Sequence, residues 1–160
     1  MFLSEIVAQV TSKAHASFST GLTDIWSRAL SYHLFPGTTP SNFFSNSSTH
    51  GAGILYSSIQ STPSFTTFSS PFPITVIDTR PPGFQNLPPN SSLPLNATVY
   101  EATPFEFGSY DPDLSAFIDM KYLGTKLNQL QPASSTSCVT NFDQAAFIAG
   151  SSSSIFFVSN

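Results

Sequence analysis

The sequence predicts a domain of mixed helix and strand, α/β or α+β. Three observations carry this. Two stretches near the N-terminus have helical apolar spacing. Several later runs are short, apolar and β-branched, as buried strands are. The 160 residues are 40% hydrophobic and 14% aromatic, enough to build one core and too aromatic for a disordered tail.

Residues 3 to 18 read as an amphipathic helix, with Leu3, Ile6, Val7, Val10 and Ala14 on one apolar face. Gly21 breaks it. A second helix is expected from Thr23 or Asp24, both good N-cap types. Leu22, Ile25, Trp26, Ala29, Leu30 and Leu34 form its stripe, and Pro36-Gly37 ends it. Residues 38 to 70 are rich in Ser, Thr, Pro and Phe, and read as a long loop or irregular short strands. Pro73 to Ile77 reads as a buried strand. Asp78 and Arg80 follow at its C-terminal end, the end at which open α/β sheets bind ligands. Pro81-Pro82-Gly83 makes a turn. Strands are expected over 98–107 and 116–123, with Gly124 closing the second and loop following over 127–140. Ala145 to Ala149 reads as a short strand running to Gly150. A helix is expected to begin within Ser151 to Ser154.

Charged residues make up only 9% of the chain, against about 25% in average domains. The net charge is −4, and the five basic residues, Lys13, Arg28, Arg80, Lys121 and Lys126, are scattered. A nucleic-acid partner needs a basic footprint, so that class is set aside. A polybasic membrane anchor is set aside on the same ground. No run approaches the length of a transmembrane segment. Met1-Phe2-Leu3 leads at once into Ser4 and Glu5, so no signal peptide is expected.

Asn46, Asn90 and Asn96 open glycosylation sequons, although a chain with 28 Ser and 16 Thr acquires sequons by chance. Cys138 is the single cysteine, which leaves no zinc or redox pattern. No cofactor is implied.

Ordered segments carry a resemblance. Leu22-Thr23-Asp24-Ile25-Trp26-Ser27-Arg28-Ala29-Leu30-Ser31-Tyr32 is one. Pro73-Ile74-Thr75-Val76-Ile77-Asp78-Thr79-Arg80-Pro81-Pro82-Gly83 is a second. Asn96 to Glu101 with Thr103-Pro104-Phe105-Glu106-Phe107-Gly108-Ser109-Tyr110-Asp111-Pro112 is a third. Lys121-Tyr122-Leu123-Gly124-Thr125 is a fourth, and Cys138-Val139, Phe142-Asp143 and Gly150 to Phe156 make a fifth. In this order they resemble the fungal lysophospholipase (phospholipase B) family, which is related to cytosolic phospholipase A2. The departures are Ser27 and Thr79 where Gly is usual, Tyr110 where Trp is usual, and Phe157 where Asn is usual.

The resemblance implies an α/β fold: part of a cytosolic phospholipase A2-like catalytic domain, with a mixed sheet and flanking helices. It places residues 1–160 inside a single catalytic domain truncated at both ends. It implies a lysophospholipid or phospholipid substrate, hydrolysis of fatty acyl esters, and a secreted or cell-surface parent. In that case the disulfide partner of Cys138 lies outside the segment. The family attacks the ester with a Ser in a GLSGG-type turn and uses an Asp in a DGG-type segment as base. This sequence has no G-x-S-x-G elbow and no Asp followed by Gly-Gly, so no catalytic residue is assigned. Gly51-Ala52-Gly53 is read as loop without a nucleophile nearby.

Other constellations are weaker. His15, His33 and His50 have many Ser and Asp to pair with, but none at a telling spacing, and His33 is read as an ordinary interfacial side chain. Asp111 and Asp113 are read as a Pro-flanked turn rather than paired acids. Asp78 and Arg80 are read as a structural ion pair. The competing class is a non-catalytic, Ser/Thr-rich surface glycoprotein, or a remnant of an enzyme gene. The oligomeric state is left open.

Overall fold

The structure is a computed structural model, and it describes residues 2–15, 20–45, 47, 49–79, 97–129, 131–134 and 138–152. Helix α1 spans Phe2–His15 and α2 spans Leu22–Leu34. A short α3 covers Pro63–Thr66, and α4 covers Ala145–Ser152. Four strands, β1 (Thr75–Asp78), β2 (Val99–Ala102), β3 (Glu106–Ser109) and β4 (Ala116–Asp119), form a sheet in that order, every pair antiparallel. A two-residue ladder joins β5 (Leu127–Asn128) to β6 (Gln131–Pro132).

The cap of α2 lies two or three residues before the expected Thr23 or Asp24. Gly21 is the N-cap, and Asp24 serves from the third helical position. The Gly21 N–H donates to Asp24 Oδ2 at 2.8 Å, and the Asp24 N–H donates to the Gly21 carbonyl at 3.1 Å. Asp24 also puts a negative charge in the first turn, where the helix dipole favours it.

The packed faces of α1 and α2 differ from the apolar faces read from spacing. On α1, Ile6 and Gln9 are buried, whereas Leu3, Val7 and Ala14 are exposed. On α2 the most buried side chain is Ser31, whose Oγ donates to the Ser27 carbonyl at 2.7 Å; Leu22, Trp26 and Leu34 are exposed. The helices meet through a polar seam, where Gln9 Nε2 donates to the Tyr32 hydroxyl. Much of each apolar stripe therefore faces outward.

The stretch expected to be loop or irregular strand is mostly short helices. Two 3-10 segments, Gly51–Gly53 and Tyr56–Ser61, lead into α3, where Pro63 sits in the first turn without losing a bond. The strand expected over 98–107 is two strands with a tight connection. Pro104 has no N–H for a ladder. Thr103 Oγ1 accepts the N–H groups of Phe105 (3.2 Å) and Glu106 (3.1 Å) and so closes the turn. The strand expected over 116–123 stops at Asp119, and Met120–Tyr122 forms a 3-10 turn capped by Asp119. The loop expected over 127–140 contains the β5–β6 ladder.

Residues 145–149 are helix, not strand. A short apolar run carries no period that separates the two. Three alanines favour helix, and the Gln144 carbonyl accepts the Ile148 N–H at 3.1 Å. The helix expected to start within 151–154 is the end of α4 instead, and residues 153–160 lie outside the described set.

The core contains Tyr56, Ala102, Met120, Leu123 and Ile148, with Ile59, Ile77, Phe107 and Phe142 packed against it. Helix α4 bridges the halves, packing on both α2 and β1. Its crossing with α2 is close because Gly150 has no side chain: a Cβ there would stand 2.7 Å from Ser27 Cβ. Beyond β1 and β2, Thr79 continues the pairing, with its N–H (3.3 Å) and Oγ1 (2.7 Å) both donating to the Thr98 carbonyl.

Candidate functional site

Asp143, in the fifth of the segments quoted above, is where the residues around it meet the 54–57 stretch. This carboxylate is fully buried. Its Oδ2 accepts the Ser57 N–H at 2.8 Å, and its backbone carbonyl accepts the Tyr56 N–H. On either side, the Ala145 N–H donates to the Ile54 carbonyl at 2.8 Å, and Leu55 bridges to Gln144. The Tyr56 hydroxyl bonds Thr75 Oγ1 at 2.9 Å, tying this junction to β1. Asp143 Oδ1 is buried without a hydrogen-bond partner. A buried acceptor left unmet costs about 1–3 kcal/mol, and Gln9 Oε1 and Arg28 Nε are likewise buried without a partner.

The hydroxyls and imidazoles nearest to these motifs are committed to structure. Ser109 is buried: its Oγ donates to the Val99 carbonyl at 2.6 Å and accepts the Asp111 N–H at 3.0 Å. His50 is buried with both ring nitrogens bonded. Nδ1 accepts the Gly53 N–H at 3.1 Å, so Nε2 carries the proton and donates to the Ser45 carbonyl at 3.0 Å. Neither group is placed to activate a nucleophile. His15 and His33 are exposed, so the interfacial placement expected for His33 is corrected. It occupies the last turn of α2, where its side chain faces outward.

Asp111 and Asp113 form a turn. Asp111 Oδ1 accepts the Asp113 N–H at 3.0 Å, and the Asp111 carbonyl accepts the Leu114 and Ser115 N–H groups. Asp78 ends β1 with its side chain exposed. The ligand-end rule used for it belongs to parallel sheets, and this strand pairs antiparallel. Arg80, Asn46, Asn90 and Asn96 lie outside the described residues. Gly51-Ala52-Gly53 is a 3-10 turn that His50 caps, rather than open loop. Among the described residues no group of three or more His, Cys, Asp or Glu side chains could hold a metal. Nor is any described helix long and apolar enough to cross a membrane.

Arg28 is a largely buried base. Burial pushes its guanidinium below the ordinary value, against the opposing pull of Asp24 and Tyr32. It lies over the rings of Phe43 (4.5 Å) and Phe44 (5.1 Å). This arrangement fixes the 38–45 segment against α2.

The described parts of the quoted segments follow the elements in chain order: the first on α2, the second on β1, the third on β2 and β3, the fourth at the 3-10 turn after β4 and the fifth into α4. The model of the lysophospholipase catalytic domain matches residues 1–158. The chain belongs to this family. Lysophospholipase 2 of Candida glabrata is 44% identical over 151 residues, covering 94% of this chain and 19% of its own length. Lysophospholipase 3 of Saccharomyces cerevisiae is 43% identical over 147 residues, covering 92% and 19% respectively. A lysophospholipase of Penicillium chrysogenum is 39% identical over 155 residues, covering 97% and 23%. The chain thus spans about a fifth of the length of these lysophospholipase relatives. No solved structure matches it. The lysophospholipase helices and sheet described above agree with the α/β class read from the sequence.

Reading the sequence missed the roles of Asp143 and His50. The His50 signal was present: a histidine directly before Gly-Ala-Gly, where a ring nitrogen can cap a short turn. Nothing in sequence spacing could have paired Asp143 with Ser57.

Proposed function

We propose that these residues form the non-catalytic middle of a lysophospholipase domain whose whole protein hydrolyses fatty acyl esters of lysophospholipids. One observation carries the reading: the family match runs through residues 1–158, yet the sequence has neither a G-x-S-x-G elbow nor an Asp-Gly-Gly segment. The commitment of Ser109 and His50 to backbone groups supports it. The role of this segment is then to hold α2, α4 and the sheet in register around elements supplied by other residues.

The test is an assay of the purified 160-residue chain on lysophosphatidylcholine, alongside labelling by a fluorophosphonate probe. No fatty acid release and no labelled serine are expected. Ester hydrolysis that titrates with the probe would overturn the reading. Coding sequence on either side should supply a GLSGG turn upstream and a DGG segment downstream. An open frame with neither would favour a remnant of an enzyme gene.

The parent protein is further proposed to be secreted or surface-bound. The Ser/Thr-rich, charge-poor composition and the sequons at Asn46, Asn90 and Asn96 support this. Expression in a fungal secretory host should give a chain whose mobility shifts with endoglycosidase. An unshifted chain in that host would count against occupied sequons.

A further inference from the structure

Helix α3 ends in an unusual way. The Phe68 N–H donates to the Phe65 carbonyl at 3.1 Å, and the Ser69 N–H to the Ser64 carbonyl at 2.9 Å. This paired pattern is the Schellman closure, and its turning residue takes a left-handed backbone, usually as glycine. Here it is phenylalanine, with φ of 56°. A bulky residue in this region is strained. Phe68 recovers nothing by packing, since its side chain is 93% exposed. Folding alone favours glycine here, so the ring answers to something outside the described fold.

Its surroundings indicate what. Phe65, three residues before it on α3, forms a cluster with Phe72 and Phe105. The rings of Phe72 and Phe105 stack at 6.1 Å with 7° between planes, and Phe65 lies 6.0 Å from each. Phe72 and Phe105 are themselves about half exposed. The chain that carries α3 is also free of charge: no Asp, Glu, Lys or Arg occurs between Arg28 and Asp78, a run of 49 residues. The α3 tip therefore brings no charge of its own to strip of water on entering an apolar medium and no cation to seek anionic headgroups, and the nearest charge in sequence to the cluster is Glu106, at its rim beside Phe105. Aromatic rings favour the boundary between headgroups and acyl chains.

We propose that the α3 tip is an interfacial lipid-binding surface, with Phe68 inserting into zwitterionic lipid and the Phe65–Phe72–Phe105 cluster supporting it. The lipid partner rests on the lysophospholipid reading above, but binding is measured without turnover, so the two can fail separately.

The experiment uses the 160-residue chain at nanomolar concentration, below the range in which it associates, with vesicles of phosphatidylcholine containing lysophosphatidylcholine and a vesicle-free sample sedimented alongside. Partition is followed by co-sedimentation at low and high salt. Phe68→Ser and Phe68→Gly are expected to lower partition by about tenfold, the loss of one buried aromatic. Salt should have no effect. F68G should also become harder to proteolyse, because it relieves the backbone strain that F68S retains. Leu34→Ser, which removes an exposed apolar side chain on α2, should bind as the parent chain does. Equal losses in L34S and F68S would overturn the proposal, since they would show general stickiness. So would undiminished binding by F68S, or binding confined to anionic vesicles and lost in salt. Self-association through Phe68 without vesicle binding would overturn it in favour of a second copy as partner.

Discussion

Asp143 and Ser57, 86 residues apart in the chain, are joined by a 2.8 Å hydrogen bond from the Ser57 amide to the buried carboxylate. The bond ties the start of α4 to the 3-10 segment that begins at Tyr56. Among the described residues the Ser57 N–H is the donor to its carboxyl. Asp143→Ala leaves that N–H unmet and should cost about 2 kcal/mol. Asp143→Asn keeps an acceptor of the same shape, so it should cost less than about 1 kcal/mol. Proteolysis of the transiently open state reports these differences, and 2 kcal/mol corresponds to roughly thirtyfold faster cleavage. Equal rates for the two variants would contradict this account.

The α2–α4 crossing gives a second test. Gly150→Ala would normally gain up to about 1 kcal/mol of helix propensity. At this crossing the new methyl would meet Ser27 Cβ at 2.7 Å and Oγ at 2.8 Å. Overpacking of this kind costs about 1–3 kcal/mol, so the net effect should be destabilising. Ser27→Gly should rescue most of it in the double variant. Additive effects, read by the same proteolysis assay, would show that the two residues do not touch.

His50→Ala removes the partners of both the Gly53 N–H and the Ser45 carbonyl. The expected cost is about 3 kcal/mol. His50→Phe retains the ring volume and loses the same two bonds. If hydrogen bonding dominates, H50F should be destabilised nearly as much as H50A; a stable H50F would assign the role to packing.

The Asp119–Lys121 pair sets a small pH dependence. Lys121 Nζ lies 2.8 Å from Asp119 Oδ2. The side-chain hydrogen bond from Lys121 holds the Asp119 carboxyl below its ordinary value, and the same bond raises the Lys121 ammonium. The Asp119 contribution is present above the unfolded pKa and lost as pH falls through the lower folded one. The Lys121 contribution is present below its unfolded pKa and lost as pH rises through the higher folded one. Both groups are exposed, so salt should shrink both effects. NMR titration of the Asp119 carboxyl carbon checks this. Asp119→Asn should return the Lys121 midpoint toward its ordinary position.

The sheet's outer strands predict how the isolated chain behaves. Among the described residues β1 and β4 each pair on one side only, and Ile74 and Val76 are exposed along β1. Open edges with apolar faces invite association. The 160-residue chain should melt broadly and associate at micromolar concentration. A sharp, cooperative, monomeric transition would contradict this.

Much of this fold was legible in the sequence. Helix α2 lies where apolar spacing put it, and β-branching marked β1 as a strand, but that strand runs Thr75–Asp78 rather than from Pro73 to Ile77 and exposes Val76, so it is not the buried strand expected. The Asp111 turn followed from Pro112 and its short-range acceptors. Helix α4 was not legible, because Ala145 to Ala149 is a short apolar run without a period, and only the Gln144 carbonyl reveals its start. The packed edge of α1 was hidden because Gln9, a polar residue, is buried against Tyr32 while Leu3 and Val7 are not. The 38–70 region was opaque for a different reason. Its structure comes from side-chain caps such as His50 and from long-range bonds to Asp143, which leave no periodic trace.

The doubled bond from Thr79 to the Thr98 carbonyl makes one acceptor serve two donors of the same residue. The backbone N–H would be supplied by almost any side chain at this position, but the second bond asks for a hydroxyl. Thr79→Val keeps the β-branched shape and removes only that hydroxyl. The end of the β1–β2 ladder should then loosen by the worth of one hydrogen bond, about 1 kcal/mol.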